Sequence, residues 1–116
     1  DIELPGYANM VKMGAHMPGK KTNPENLAKA QALKDATMGH FIVQNLKPNT
    51  LFLHFNGSYH SDNYEGIMWY INQYAAETKI KTITTVVQND VSSLADEHKN
   101  KADYIIVVNE RVTNTY

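Results

Sequence analysis

Four side chains that could take part in chemistry lie close together, at Tyr59, His60, Asp62 and Tyr64. A phenol or an imidazole can ligate iron, and an imidazole or a carboxylate can move protons. Gly57 comes shortly before them, and we expect it to take backbone angles denied to other residues and to let a ligand approach the main chain. This stretch predicts a ligand or catalytic site. A histidine in a polar loop is also often only a surface or hydrogen-bonding residue, so both interpretations stay open.

The elements on either side of this stretch favour a site. The apolar run LFLHF, residues 51–55, predicts a buried strand that stops at Asn56 and Gly57. A helix is predicted to begin near Glu65. A strand followed by a polar loop that opens a helix is where open α/β folds place their ligand sites. The free N–H groups at the start of such a helix would suit an anionic group such as a propionate or a phosphate.

A second candidate position is Asp35, in a long predicted helix. Asn23 as N-cap and Pro24 as first residue predict the start of this helix, which should run to about residue 46. On a helical wheel Gln31 falls among the residues of the apolar face and Asp35 at its edge, where a carboxylate is costly, if buried, unless it is paired. Either Asp35 caps a loop or pairs with an arginine from outside this chain, or Asp35 and Gln31 line a ligand cavity.

The order of the predicted elements indicates an α/β fold in three layers with a mostly parallel sheet. Three strands alone would leave two long apolar edges, so we expect this chain to supply about three strands of a larger sheet. Residues 1–116 would then be the C-terminal part of a single domain whose N-terminal half is absent from this chain. The predicted helices are 7–13, 24–46, 65–76 and a weaker 91–98, and the predicted strands are 51–55, 82–87 and 104–108.

Composition excludes several kinds of site. The 116 residues include no cysteine, which rules out disulfides, thiolate zinc sites, iron–sulfur clusters and covalent CxxCH haem attachment. The net charge of −1, without a basic stripe, argues against a nucleic-acid partner. No apolar run approaches the roughly 20 residues that a membrane helix needs.

Three segments carry a resemblance to a known family. AQALKDATM (residues 30–38), LHFNGSYHSDNYEGIMWYI (residues 53–71) and KTITTV (residues 81–86) resemble the ChaN-like family of iron-regulated, haem-binding lipoproteins. The match covers the chain as the C-terminal half of a longer protein. More distantly, the chain is similar to the TraB/TIKI and erythromycin-esterase groups, which share a glycine-x-x-histidine loop after a strand, matched here by Gly57 and His60.

The resemblance implies haem binding in bacterial iron acquisition, with haem as the cofactor. It also implies a location in the cell envelope, as an outer-membrane lipoprotein or in the periplasm, a lipid anchor on the absent N-terminal part, and a homodimer. Its pocket wall would include His60, Tyr59, Asp35 and Gly57. The resemblance implies that a tyrosine ligates the iron and that a histidine and a lysine contact the propionates, but it does not assign that tyrosine to a position in this chain. The alternative is a metal-dependent or metal-free hydrolase of the TIKI or erythromycin-esterase type, in which His60 meets acidic and histidine side chains of the absent half.

Overall fold

The computed structural model describes residues 2–15 and 23–112. Its helices and strands, in chain order, are α1 (Pro5–Ala15), α2 (Pro24–Asn45), α3 (Ile67–Tyr74), β1 (Ile83–Gln88) and β2 (Tyr104–Asn109). Single turns of 3₁₀ helix lie at Ser58–His60, Asp62–Tyr64 and Asp96–His98. The mixed α/β class is confirmed. Three strands and three layers are not, because the described residues form two strands.

The start of α2 follows the sequence prediction. The Asn23 side chain accepts a hydrogen bond of 3.0 Å from the Glu25 N–H, and Pro24 takes the first helical position, where a missing N–H costs nothing. The helix ends at Asn45, close to the predicted residue 46. It is the longest described helix, and the remaining helices pack on it.

The core lies along two sections of α2. On its first half, Ala28 and Ala32 are buried under the ring of Tyr7 from α1. Small side chains on α2 let α1 come close there. On its second half, Ile42 packs against Ile67 and Ile71 of α3. The helix α2 is therefore the central scaffold, with α1 and α3 attached to successive stretches of it.

The two strands form a parallel pair in register from Ile83 opposite Tyr104 to Gln88 opposite Asn109. Asp103 fastens the start of the pair, because its carboxylate accepts from the Thr82 N–H at 2.9 Å and from Lys81 Nζ at 2.7 Å. The hydrogen bonds from Lys81 and then Thr82 hold the pKa of the Asp103 carboxyl below its usual value.

The predicted strand at residues 51–55 does not form. No strand is present in this segment, and Leu51, Leu53 and Phe55 are 84%, 69% and 90% exposed. A strand needs a neighbouring chain to pair its backbone N–H and C=O groups, and the described residues supply none beside this segment. The apolar composition of this segment is typical of a buried strand. Composition alone does not supply the neighbouring strand that such a segment must pair with.

Two predicted helices are shorter in the structure. The helix expected at residues 65–76 is α3, Ile67–Tyr74, and the helix expected at 91–98 is reduced to the single turn Asp96–His98. Among the described helices, none is long and apolar enough to cross a membrane.

Candidate functional site

The helix α2 brings two polar side chains to its buried face. Gln31 and Asp35 are four residues apart, so they lie one above the other on the same side of the helix. Gln31 is 6% exposed and Asp35 is fully buried. A buried carboxylate needs hydrogen-bond donors around it, and two donors come from outside α2.

The first donor is His60. We call residues 56–66 the site loop; its first 3₁₀ turn, Ser58–His60, carries the imidazole to Asp35. Nδ1 of His60 contacts Oδ1 of Asp35. A carboxylate oxygen can only accept, so this nitrogen carries the proton and Nε2 keeps a lone pair. His60 is therefore oriented by a buried carboxylate, with Nε2 as the nitrogen available to a ligand or a proton.

The second donor is Tyr7 of α1. Its hydroxyl donates to Oδ2 of Asp35 at 2.5 Å, and its side chain is 3% exposed. Burial, and then the hydrogen bond to Asp35, raise the pKa of the Tyr7 hydroxyl above its ordinary value. The hydroxyl thus keeps its proton and remains a donor. Both oxygens of Asp35 are used, one by α1 and one by the site loop.

Gln31 lies beside the same imidazole. Its amide nitrogen is 2.8 Å from Nδ1 of His60 and 3.3 Å from Nε2. With the Nδ1 proton given to Asp35, the 2.8 Å approach joins two donors and is no hydrogen bond, so only Nε2 can accept from this amide. That contact is longer than an ordinary hydrogen bond, so a stronger partner for Nε2 would displace Gln31 at little cost.

Gly66 allows the site loop to fold tightly over Asp35. Its backbone has φ 57° and ψ −122°, a conformation that favours glycine. A Cβ at this position would overlap the carbonyl oxygen of His60 and lie 3.2 Å from Oδ2 of Asp35. The close approach of Gly66 therefore depends on the missing side chain.

Three further hydrogen bonds fasten the site loop to its surroundings. The Glu65 carboxylate accepts from the Gly6 N–H at the start of α1, at 2.6 Å. Asp62 accepts from the Thr84 hydroxyl of β1 at 2.9 Å. The Asn63 N–H donates to the carbonyl oxygen of Lys101 at 2.8 Å. The position of His60 is thus fixed by α1, α2, β1 and the segment before β2 together.

Two cavities lie on different sides of the site loop. The α1 cavity, of about 370 Å³, lies between α1 and the loop and is lined by Met10, Met13 and Tyr59 among others. The α2 cavity, of about 390 Å³, is lined by Leu33, Lys34, Thr37, Met38 and His60.

The four predicted site residues do not share one pocket wall. Asp35 and His60 are brought into contact, which answers the question of what pairs with the buried carboxylate. Tyr59 is 67% exposed and lines the other cavity. Gly57 has φ −69° and ψ 149°, angles open to any residue, and nothing lies within 4 Å of a Cβ placed on it. The special backbone conformation expected at Gly57 is instead found at Gly66.

Sequence reasoning missed Tyr7 and Gly66. Tyr7 is 28 residues from Asp35, and no spacing rule connects them. Gly66 had a usable signal, because a glycine stands directly before the apolar helical run that begins at Ile67. Within the described residues, no group of three histidine, aspartate or glutamate side chains is placed to hold a metal ion.

The arrangement has two possible chemical uses. A histidine whose Nδ1–H is held by a carboxylate is a well-oriented and more basic ligand through Nε2. The same pairing would let Nε2 act as a general base. The apolar side chains in the α2 cavity and the nearby Lys34 favour a large apolar ligand with an anionic group.

Comparison with known proteins gives one match. The family model described as haem-binding uptake, Tiki superfamily, ChaN matches residues 3–71. This region is more than half of the chain and contains Tyr7, Gln31, Asp35, His60 and Gly66, while both strands lie beyond it. No curated protein and no solved structure matches the chain. The match confirms the ChaN-like resemblance.

Proposed function

This chain belongs to the ChaN family of haem-binding uptake proteins in the Tiki superfamily, and from that membership we propose that it binds haem, with His60 as the iron ligand. The observation that carries the proposal is the contact between Nδ1 of His60 and the buried Asp35 carboxylate. It leaves Nε2 as the lone pair for iron. Histidines that ligate metals commonly donate their other N–H to a carboxylate in this way.

The residues of the α2 cavity supply three kinds of contact that haem uses. Haem presents a broad apolar ring, an iron that accepts a nitrogen ligand, and two anionic propionates. Leu33 and Met38 offer apolar surface, and Lys34 supplies a cation at the same cavity. The bound group would supply the iron chemistry, while the protein supplies the ligand and its orientation.

Asp35 and Gln31 have supporting parts in this proposal. Asp35 fixes the tautomer and the plane of the imidazole, which makes Nε2 a stronger donor to iron. Gln31 would give up its long contact with Nε2 to make that nitrogen available to iron.

Titration of the protein with haemin tests the proposal. We expect a saturable shift of the haem Soret absorption, together with weaker binding of iron-free protoporphyrin, because the porphyrin alone cannot use Nε2. A spectrum equal to the sum of free haemin and protein at every concentration would sink the proposal.

The finer parts of this proposal follow from the family resemblance. They are a role in iron acquisition, a location in the cell envelope with a lipid anchor, a homodimer, and a larger sheet completed by residues outside this chain. The exposed apolar side chains at residues 51–55 agree with a sheet that continues elsewhere. The hydrolase alternative rests on the Asp35–His60 pair alone, and the cavity offers it no further support.

A further inference from the structure

We infer that Tyr7 is a positioning residue for His60, acting through Asp35, so that α1 is part of the ligand site although it does not touch the imidazole. The inference deepens the proposed function, since the histidine it positions is the proposed iron ligand. It rests on the continuous contact from the Tyr7 hydroxyl through the Asp35 carboxylate to Nδ1 of His60.

The carboxylate of Asp35 links Tyr7 to His60. One of its oxygens faces His60 and the other faces Tyr7, and the residue is fully buried. If the Tyr7 hydroxyl were removed, Oδ2 would lose this donor in a place closed to bulk water. A buried acceptor without a partner lowers the stability of the arrangement that contains it. The carboxylate would then rotate or shift to share the His60 proton between its oxygens.

The Tyr7 hydroxyl is itself held in position by the packing of its ring and by its neighbour in α1. The ring of Tyr7 packs on Ala28 and Ala32, which lie about two turns and one turn before Asp35 on the same face of α2. The neighbouring Gly6 N–H is held by Glu65 of the site loop at 2.6 Å. Two successive residues of α1 are therefore tied to the site, one to the loop that carries His60 and one to the carboxylate that orients it.

The position of Asp35 determines which nitrogen of the His60 imidazole carries the proton. With Asp35 fixed, the proton of His60 stays on Nδ1 and Nε2 keeps its lone pair. With Asp35 loosened, the ring can turn or exchange tautomers, and Gln31 is close enough to both nitrogens to accept either arrangement. Loss of an outer-shell partner typically weakens metal binding 10- to 100-fold. Because Tyr7 acts one residue further out, we expect about a tenfold loss of haemin affinity, the lower end of that range.

The experiment uses the full chain, labelled with ¹⁵N-histidine and free of haem. The two imidazole nitrogens of His60 are assigned by comparison with His60→Ala. In the wild-type protein we expect one dominant tautomer, protonated on Nδ1. In Tyr7→Phe we expect the two nitrogen signals to move towards each other, as the tautomers mix. Tyr74→Phe is the matched control, because Tyr74 is a half-exposed residue of α3 that stacks on Tyr70, whereas the Asp35 carboxylate accepts from Tyr7 and His60.

A second variant covers the case in which Tyr7→Phe fails to fold. 3-Fluorotyrosine at position 7 keeps the ring and the hydroxyl but makes the hydroxyl a stronger donor, so the His60 nitrogen signals should shift without loss of structure. Unchanged His60 signals in a folded Tyr7→Phe, or with the fluorinated ring, would overturn the inference. Since this measurement needs no haem, its failure is separate from a failure to bind haemin, which would count against the proposed function instead.

Discussion

Asp35 of α2 and His60 of the site loop, 25 residues apart in sequence, meet in the interior through Oδ1 and Nδ1. The carboxylate is fully buried and the imidazole is 20% exposed. The buried carboxylate of Asp35 therefore orients the imidazole, while the imidazole of His60 remains accessible to a ligand. This asymmetry is what a ligand site needs.

Replacement of Asp35 tests whether its buried carboxylate supports the proposed iron ligand. Asp35→Asn keeps the shape of the side chain and an oxygen that can accept a hydrogen bond from Nδ1–H of His60. It removes the negative charge that makes Nε2 a stronger electron-pair donor to a metal. We expect haemin affinity to fall about 10- to 100-fold, measured by Soret titration. Asp90→Asn is the control, because Asp90 is exposed and its carboxylate accepts hydrogen bonds from the N–H and the hydroxyl of Ser92, far from His60 in the sequence. Equal affinities in the two variants would contradict this part of the account.

Alanine substitutions at Gly66 and Gly57 can be compared for their effect on the free energy of unfolding. Gly66→Ala must accept strained backbone angles and an overlap with the His60 carbonyl oxygen. We expect it to lower the free energy of unfolding by about 1–3 kcal/mol in urea melts. Gly57→Ala meets no atom and has ordinary angles, so a change within about 0.5 kcal/mol is expected. The reverse order of the two variants would show that the loop is not folded as described.

The sequence could predict the scaffold better than the site. The caps at Asn23 and Pro24, and the period of the apolar residues, carry enough local information to place α2, because those interactions are made within a few residues. The β-branched run from Ile83 likewise placed β1. At residues 51–55 the same reasoning failed, since a strand depends on a partner that local sequence does not encode.

Local sequence also predicted individual residues of the candidate site but not the contacts between them. His60 and Asp35 stood out because one is a reactive side chain in a polar loop and the other a carboxylate beside an apolar face. Their contact was not predictable, because the 25 residues between them can fold in many ways. Tyr7 gave no signal, since a tyrosine in an amphipathic helix is ordinarily a core residue.

The raised pKa of Tyr7 predicts how stability depends on alkaline pH. Its ordinary value is 10.0 and burial raises it in the folded protein. As pH rises past about 10, the unfolded chain loses this proton first, so the free energy of unfolding falls. We expect the stability difference between wild type and Tyr7→Phe to be largest near about pH 8 and to shrink near about pH 11 in urea unfolding. The same difference at both values would argue against a buried Tyr7–Asp35 hydrogen bond, and Tyr74→Phe serves as the control.

Lys34 tests the orientation of the ligand in the α2 cavity. Lys34→Glu would place a negative charge where an anionic propionate is proposed to lie. We expect haemin affinity to fall about fivefold to tenfold at low salt, and less as added salt screens the charges. Lys47→Glu makes the same change of charge on an exposed lysine outside both cavities. An equal loss in both variants would show a general charge effect and no local contact.

The most direct test of the account compares two histidines in one haemin titration. His60→Ala removes the proposed iron ligand, whereas His54→Ala removes an exposed imidazole six residues earlier that lines neither cavity. We predict wild-type affinity and Soret position for His54→Ala. For His60→Ala we predict affinity weaker by about 100-fold or more, because the iron loses its nitrogen ligand. Wild-type affinity and an unchanged Soret band in His60→Ala would contradict the central claim that the Asp35–His60 pair forms the haem site.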